Sequence, residues 1–122
     1  MSDFNLSAFS DAIADVAATA APVTASLATH HHRTASAFHW RDGYFVTAEE
    51  IVEAGEEIDL TLASGEAVKA ELVGRDPSTG VALLKPAATT EAPSLARADA
   101  VRPGHVAIAV GNSGGAGLAV FG

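Results

Sequence analysis

Two hydrophobic periods divide this chain. Between Asp3 and about Ala20, Leu6, Phe9, Ile13 and Val16 recur at spacings of three, four and three. That rhythm lines one face of a helix and leaves Asp11 and Asp15 off it. Asp3 or Ser7 is placed to cap the helix, and Pro22 to stop it. Beyond Pro22 the apolar positions alternate instead. The runs VTASLAT (23–29), TASAFHW (34–40), YFVTA (44–48), EIDLTLA (57–63), EAVKAELVG (66–74), VALLKP (81–86) and HVAIAVG (105–111) are short and rich in Val and Leu. Each predicts a strand.

The breaks between the runs support strands. RDG at 41–43 and SG at 64–65 each separate two alternating runs and predict hairpin turns. Ile58, Leu60 and Leu62 share one face of their strand, and Val68, Ala70 and Leu72 share one face of the next, so the two rows should meet across the second turn. Trp40 and Tyr44 flank the first turn and are expected to close its core. Six or seven short strands with no helix between them predict an all-β domain: one antiparallel barrel of six to seven strands behind an N-terminal α-helix. The expected division is an amphipathic helix over 1–21, the barrel over 22–115 and a C-terminal tail over 116–122. Residues 87–104 show no period and read as a long connection.

Composition narrows the partners. With 122 residues, 48% of them apolar, the chain holds one domain with a core of its own. A net charge of −8 with only seven Lys and Arg argues against nucleic acid as a partner. There is no cysteine, which excludes disulfides and thiolate chemistry. Asp3 stands where a signal peptide would be basic, and Asp11 and Asp15 interrupt the apolar residues that follow. We therefore expect a cytoplasmic start and no membrane association.

Three segments then carry a family resemblance. SAFHWRDGYFVTAEEIV (36–52), LASGEAVKAELVGRDPSTGVALLKP (62–86) and RPGHVAIAVGNSGG (102–115) resemble, in order and spacing, the first β-barrel of HtrA/Deg-type trypsin-like serine proteases. The resemblance implies the N-terminal barrel of a two-barrel chymotrypsin fold, with the active site in the crevice between barrels. The family carries its catalytic base in Val-Thr-x-x-His-Val-Val. The matching residues are Val46 to Val52, with Glu50 at the base position. Its orienting aspartate follows Gly-Arg-Asp-x-x-x, and Gly80 stands at that place. The family's Gly-Ser-Gly-Phe run is altered here to Ala35, Ser36, Ala37 and Phe38.

Ser113, within GNSGG at 111–115, looks like the nucleophile in letters but not in place. It directly follows the run that matches the family's last first-barrel strand, whose turn is typically Ile-Gly-Asn-Pro-x-Gly. Ser113 therefore reads as a residue of a glycine-rich turn. A carboxylate at Glu50 is a poorer base than imidazole, with a reference pKa of about 4.3 against about 6.5. Glu50 also lies in the acidic run 49–59, which reads as a solvated face. We assign no catalytic residue.

Two other features carry candidate chemistry. His30 and His32 alternate on a strand, and His39 lies on the next, so the three imidazoles are candidate ligands for a transition metal such as zinc, copper or nickel. No other cofactor is implied. His105 opens the last run and reads as a strand-edge residue. Leu118, Val120 and Phe121 leave apolar side chains without an obvious place near Gly122, where the family's second barrel would begin, and are candidates for partner contact. The expectation is a proteolytically inactive trypsin-like module acting in protein binding or self-assembly. Half of a split serine endopeptidase and a histidine-based metal-binding protein are the alternatives.

Overall fold

A computed structural model describes residues 4–29, 34–88, 93, 96–112 and 118–121. Helix α1, Leu6–Ala20, is capped by neither expected residue. Asn5 is extended and its Oδ1 accepts the Ala8 N–H at 3.1 Å, because the helix begins three residues later than the periodicity alone implies. Its far end tightens into a 3₁₀ turn, Ala21–Val23, that contains Pro22. The chain is turned there into the first strand.

Six strands follow: β1 Thr24–Thr29, β2 Thr34–Arg41, β3 Tyr44–Ala48, β4 Ile58–Leu62, β5 Ala67–Asp76 and β6 Val81–Pro86. They close into an antiparallel barrel in the order β1-β2-β3-β6-β5-β4, with β4 pairing back onto β1. Alternation decides what fills it. Leu27, Phe45, Ile58, Leu60 and Leu84 point inward and are at most 1% exposed. Burial of that kind contributes roughly 1.5–3 kcal/mol per large side chain. The two rows expected to meet do so in register, Ile58 opposite Ala70 and Leu60 opposite Val68.

The RDG turn forms with Asp42 and Gly43 both at positive φ, 53° and 82°, the geometry whose twist suits a two-residue hairpin. Trp40 does not close its core. Strand alternation turns Ala37 and His39 inward and leaves Trp40 outward, 43% exposed, with the Arg41 guanidinium 3.9 Å over its ring. His39 and Phe45 occupy the interior instead.

The seventh expected strand is not a barrel strand. Once β1 and β4 pair, the ring has no free edge to offer it. The segment forms β7, Ala109–Asn112, later than the predicted 105–111, and pairs with β8, Leu118–Phe121. Residues expected to form a tail thus belong to a two-stranded sheet. His105 lies outside β7: its Nδ1 accepts the Arg102 N–H at 3.1 Å and its own N–H returns to the Arg102 carbonyl. No helix among the described residues is long and apolar enough to cross a membrane.

Candidate functional site

The end of β3 and the start of β6 lie side by side, with Thr47 opposite Ala82 and Ala48 opposite Val81. That register carries the next residues of each strand together. Ala48 leads into a 3₁₀ turn, Glu49–Ile51, and the Glu49 N–H donates to the Gly80 carbonyl at 2.8 Å. Positions 50 and 80, far apart in sequence, therefore belong to one corner of the barrel rim. Glu50 is exposed there.

Gly80 ends a turn organised by Asp76. The Asp76 carboxylate accepts the Ser78 hydroxyl at 2.6 Å and the Ser78 N–H at 3.0 Å, while its carbonyl accepts the Gly80 N–H at 2.9 Å. The Ser78 hydroxyl, then that of Thr79, hold the Asp76 carboxyl below its usual range. Gly80 itself has φ +74°, and a Cβ there would meet nothing within 4 Å. Space is not what keeps a side chain out; the left-handed backbone is.

An ion pair that sequence reasoning did not single out completes the corner. Arg75 Nε donates to Glu49 Oε1 at 3.0 Å, and its Nη2 makes a second, close contact with the same oxygen. Both residues were visible in the sequence, but Glu49 sat in an acidic run and nothing local paired it with Arg75. Among the described residues the corner thus holds a carboxylate already engaged by a guanidinium, a second carboxylate at Glu50, and no imidazole. Among those residues it has neither an imidazole base for a serine hydroxyl nor a side chain at position 80 to orient one.

His39, the described member of the proposed histidine set, is committed elsewhere. It is 6% exposed and packs edge-on against Phe45 with ring centroids 5.4 Å apart. Its Nε2 accepts the Gly43 N–H at 3.2 Å and its Nδ1 lies 3.3 Å from the Pro93 carbonyl. These partners assign the proton to Nδ1, so neither nitrogen presents an open lone pair to a metal. His30 and His32 lie outside the described residues, as does Ser113. Among the described residues no group of three or more His, Asp or Glu side chains is placed to hold a metal ion.

A second structural tie joins β7 to the barrel. Ser36 Oγ accepts the Asn112 N–H at 2.8 Å and donates to the Asn112 carbonyl at 3.0 Å, while Thr47 Oγ1 donates to the Ser36 carbonyl at 2.9 Å. Gly111 permits this approach, since a Cβ there would stand 2.9 Å from Ser36 Oγ. Residues 35–121, from the start of this Ser36 segment to the end of β8, match the family model for the trypsin-like peptidase domain. The chain belongs to that family.

Several proteins it is similar to in sequence are named as periplasmic proteases. It is 35% identical over 81 residues to the probable periplasmic serine protease do/HhoA-like of Haemophilus influenzae, covering 64% of this chain and 17% of that protein. It is 37% identical over 81 residues to the periplasmic serine endoprotease DegP of Salmonella typhimurium, with the same coverage of each. The chain therefore spans under a fifth of the length of these relatives. In fold it is similar to the Rv3671c protease in its inactive form, with a TM-score of 0.73 over 98% of this chain and 58% of that one. At 17% identity, that likeness concerns the trypsin-like fold alone.

Proposed function

We propose that this trypsin-like barrel is proteolytically inactive by itself and acts in protein binding or self-assembly. The observation that carries the reading is the corner at positions 50 and 80. The two places where the family resemblance puts a histidine base and its orienting aspartate are adjacent, through the 2.8 Å bond from Glu49 N–H to the Gly80 carbonyl, yet hold a carboxylate and a residue without a side chain. A reference carboxylate is a base weaker than imidazole by about two pKa units, and it has no aspartate to stabilise a proton it might take. Strand β8, which carries Leu118, Val120 and Phe121, belongs to the proposed contact surface.

The test is a pair of measurements on the purified chain. Exposure to a fluorophosphonate probe and to casein is expected to give neither label nor cleavage; labelling at Ser113 overturns the proposal. Gel filtration with light scattering is expected to show concentration-dependent association, with or without an added partner. A strict monomer that binds no other chain removes the assembly half of the reading.

A further inference from the structure

Among the described residues the buried polar side chains are Thr24, Thr29, Thr47 and His39, so His39 is the one fully enclosed group that can change charge. Histidine is the side chain suited to do so between about pH 5 and 8. Strand alternation turns it inward on β2, opposite Phe45 of β3.

The ring joins two segments that are distant along the chain. Its Nε2 accepts the Gly43 N–H of the RDG turn at 3.2 Å, and its Nδ1 donates to the Pro93 carbonyl in the connection 87–104 at 3.3 Å. In a two-residue hairpin, closed here by the pair Arg41 and Tyr44, the second turn residue must find an acceptor for its N–H elsewhere. The imidazole supplies it. A protonated ring cannot, because Nε2 then carries a hydrogen of its own and faces the Gly43 N–H as donor against donor. The bond from Nδ1 to Pro93 is compatible with either form. Two states of the ring are thus two states of the turn.

The charged groups on the neighbouring elements are turned to solvent. On β2 the Arg41 guanidinium lies over the outward Trp40, and Asp42 of the turn is exposed. Strand β1 has no titratable residue, and β3 has only Tyr44, half-buried opposite Arg41. Strand β6, beyond β3, has only Lys85, which is exposed opposite the exposed Glu71 of β5. In the connection that carries Pro93, Arg97, Asp99 and Arg102 are exposed. His30, His31, His32, Arg33 and Glu91 lie outside the described residues.

We propose that His39 is a proton-operated catch on the RDG hairpin. Neutral, the ring holds the Gly43 N–H and braces the turn against the connection at Pro93; protonated, it releases the turn. The hairpin is therefore held at the alkaline end of the histidine range and loosened as pH falls. Nothing in this catch requires the domain to bind a partner.

The experiment is an NMR titration of the full chain from about pH 8 to about pH 5. At the upper end the His39 nitrogens are expected to show the tautomer with its proton on Nδ1. On acidification the ring and the Gly43 amide are expected to titrate with one midpoint. The amide proton should move upfield, and its exchange, corrected for the intrinsic effect of pH, should quicken by about fivefold, the worth of one ordinary hydrogen bond. His39→Phe keeps an aromatic ring beside Phe45 and has nothing to titrate, so it is expected to show no Gly43 step over this range. The comparison of ring with amide is made on the parent chain and stands even where that variant does not fold. A ring that stays neutral down to about pH 5 overturns the proposal. So does a ring that titrates without moving the Gly43 amide, or a Gly43 step of equal size in His39→Phe.

Discussion

The interior of the barrel and the side occupied by helix α1 are built from similar residues and packed very differently. Leu27, Ile58, Leu60 and Leu84 are completely screened from water, whereas Leu6, Phe9 and Val16 of the helix remain 69%, 40% and 54% exposed. Closure explains the contrast. With β4 paired to β1, every barrel strand has two neighbours and the inward residues of six strands complete one core without help from outside. The helix and the β7–β8 sheet are additions to a finished object. They are tied on by the Ser36–Asn112 bridge and by an apolar contact that leaves a cleft. Tight packing and open apolar surface are thus lodged in different parts of the described chain.

The sharpest way to break this comparison is at its stable end. Leu60→Ala removes a side chain with no exposure from the barrel centre, and is expected to destabilise the whole domain by about 2–5 kcal/mol in denaturant titration. A loss confined to a few tenths would mean that the barrel interior is not the core. Gly111→Ala comes next. Its new Cβ would press on Ser36 Oγ, and a cost of about 1–3 kcal/mol is expected. Hydrogen exchange should show that cost as lost protection in β7 with the barrel amides unaltered. Equal loss across β1–β6 would show that the two regions unfold as one unit.

Smaller effects sharpen the picture at the edges. Asn5→Ala deletes the side chain that accepts the Ala8 N–H and is expected to cost the helix about 1 kcal/mol, read as faster exchange in its first turn with little change in the barrel melting temperature. The smallest expected effect is a pH step at the 76–80 turn. Because hydrogen bonding holds the Asp76 carboxyl below its ordinary value, the charged form favours the folded turn. That support is complete above the ordinary value of 3.8 and is lost as pH falls through the lower native one. An NMR titration of the Ser78 amide should follow the step, and Asp76→Asn should abolish it.

How much of this was legible depended on how local the cause was. The RDG hairpin was readable because Asp42 and Gly43 tolerate the positive φ the turn needs. The facing rows of β4 and β5 were readable because alternation and a short turn set their register. Trp40 was misplaced because its apolar bulk was weighed above its phase: the alternation that buries Ala37 and His39 turns it outward. The helix cap was misplaced because Asp3, Asn5 and Ser7 are all competent capping residues and only the helix start chooses among them. At the candidate site, Glu50 and Gly80 were found through the family resemblance. The Arg75–Glu49 pair and the two hydrogen bonds between Ser36 and Asn112 were not found, since each depends on chain segments that meet only in the folded barrel.

The sequence by itself determined the periods, hence one helix followed by strands, and it determined which residue types stand at the positions where the family would place its base and orienting acid. Those are properties of single residues and their near neighbours. Only the tertiary structure decided that six strands, not seven, close the ring, that Glu49 and Gly80 share a hydrogen bond, and that the helix stops short of sealing its side of the domain. Ring closure, a rim corner and a cleft each require segments distant along the chain to be brought together. Their geometry is set by the sum of many pairings and by no one local pattern.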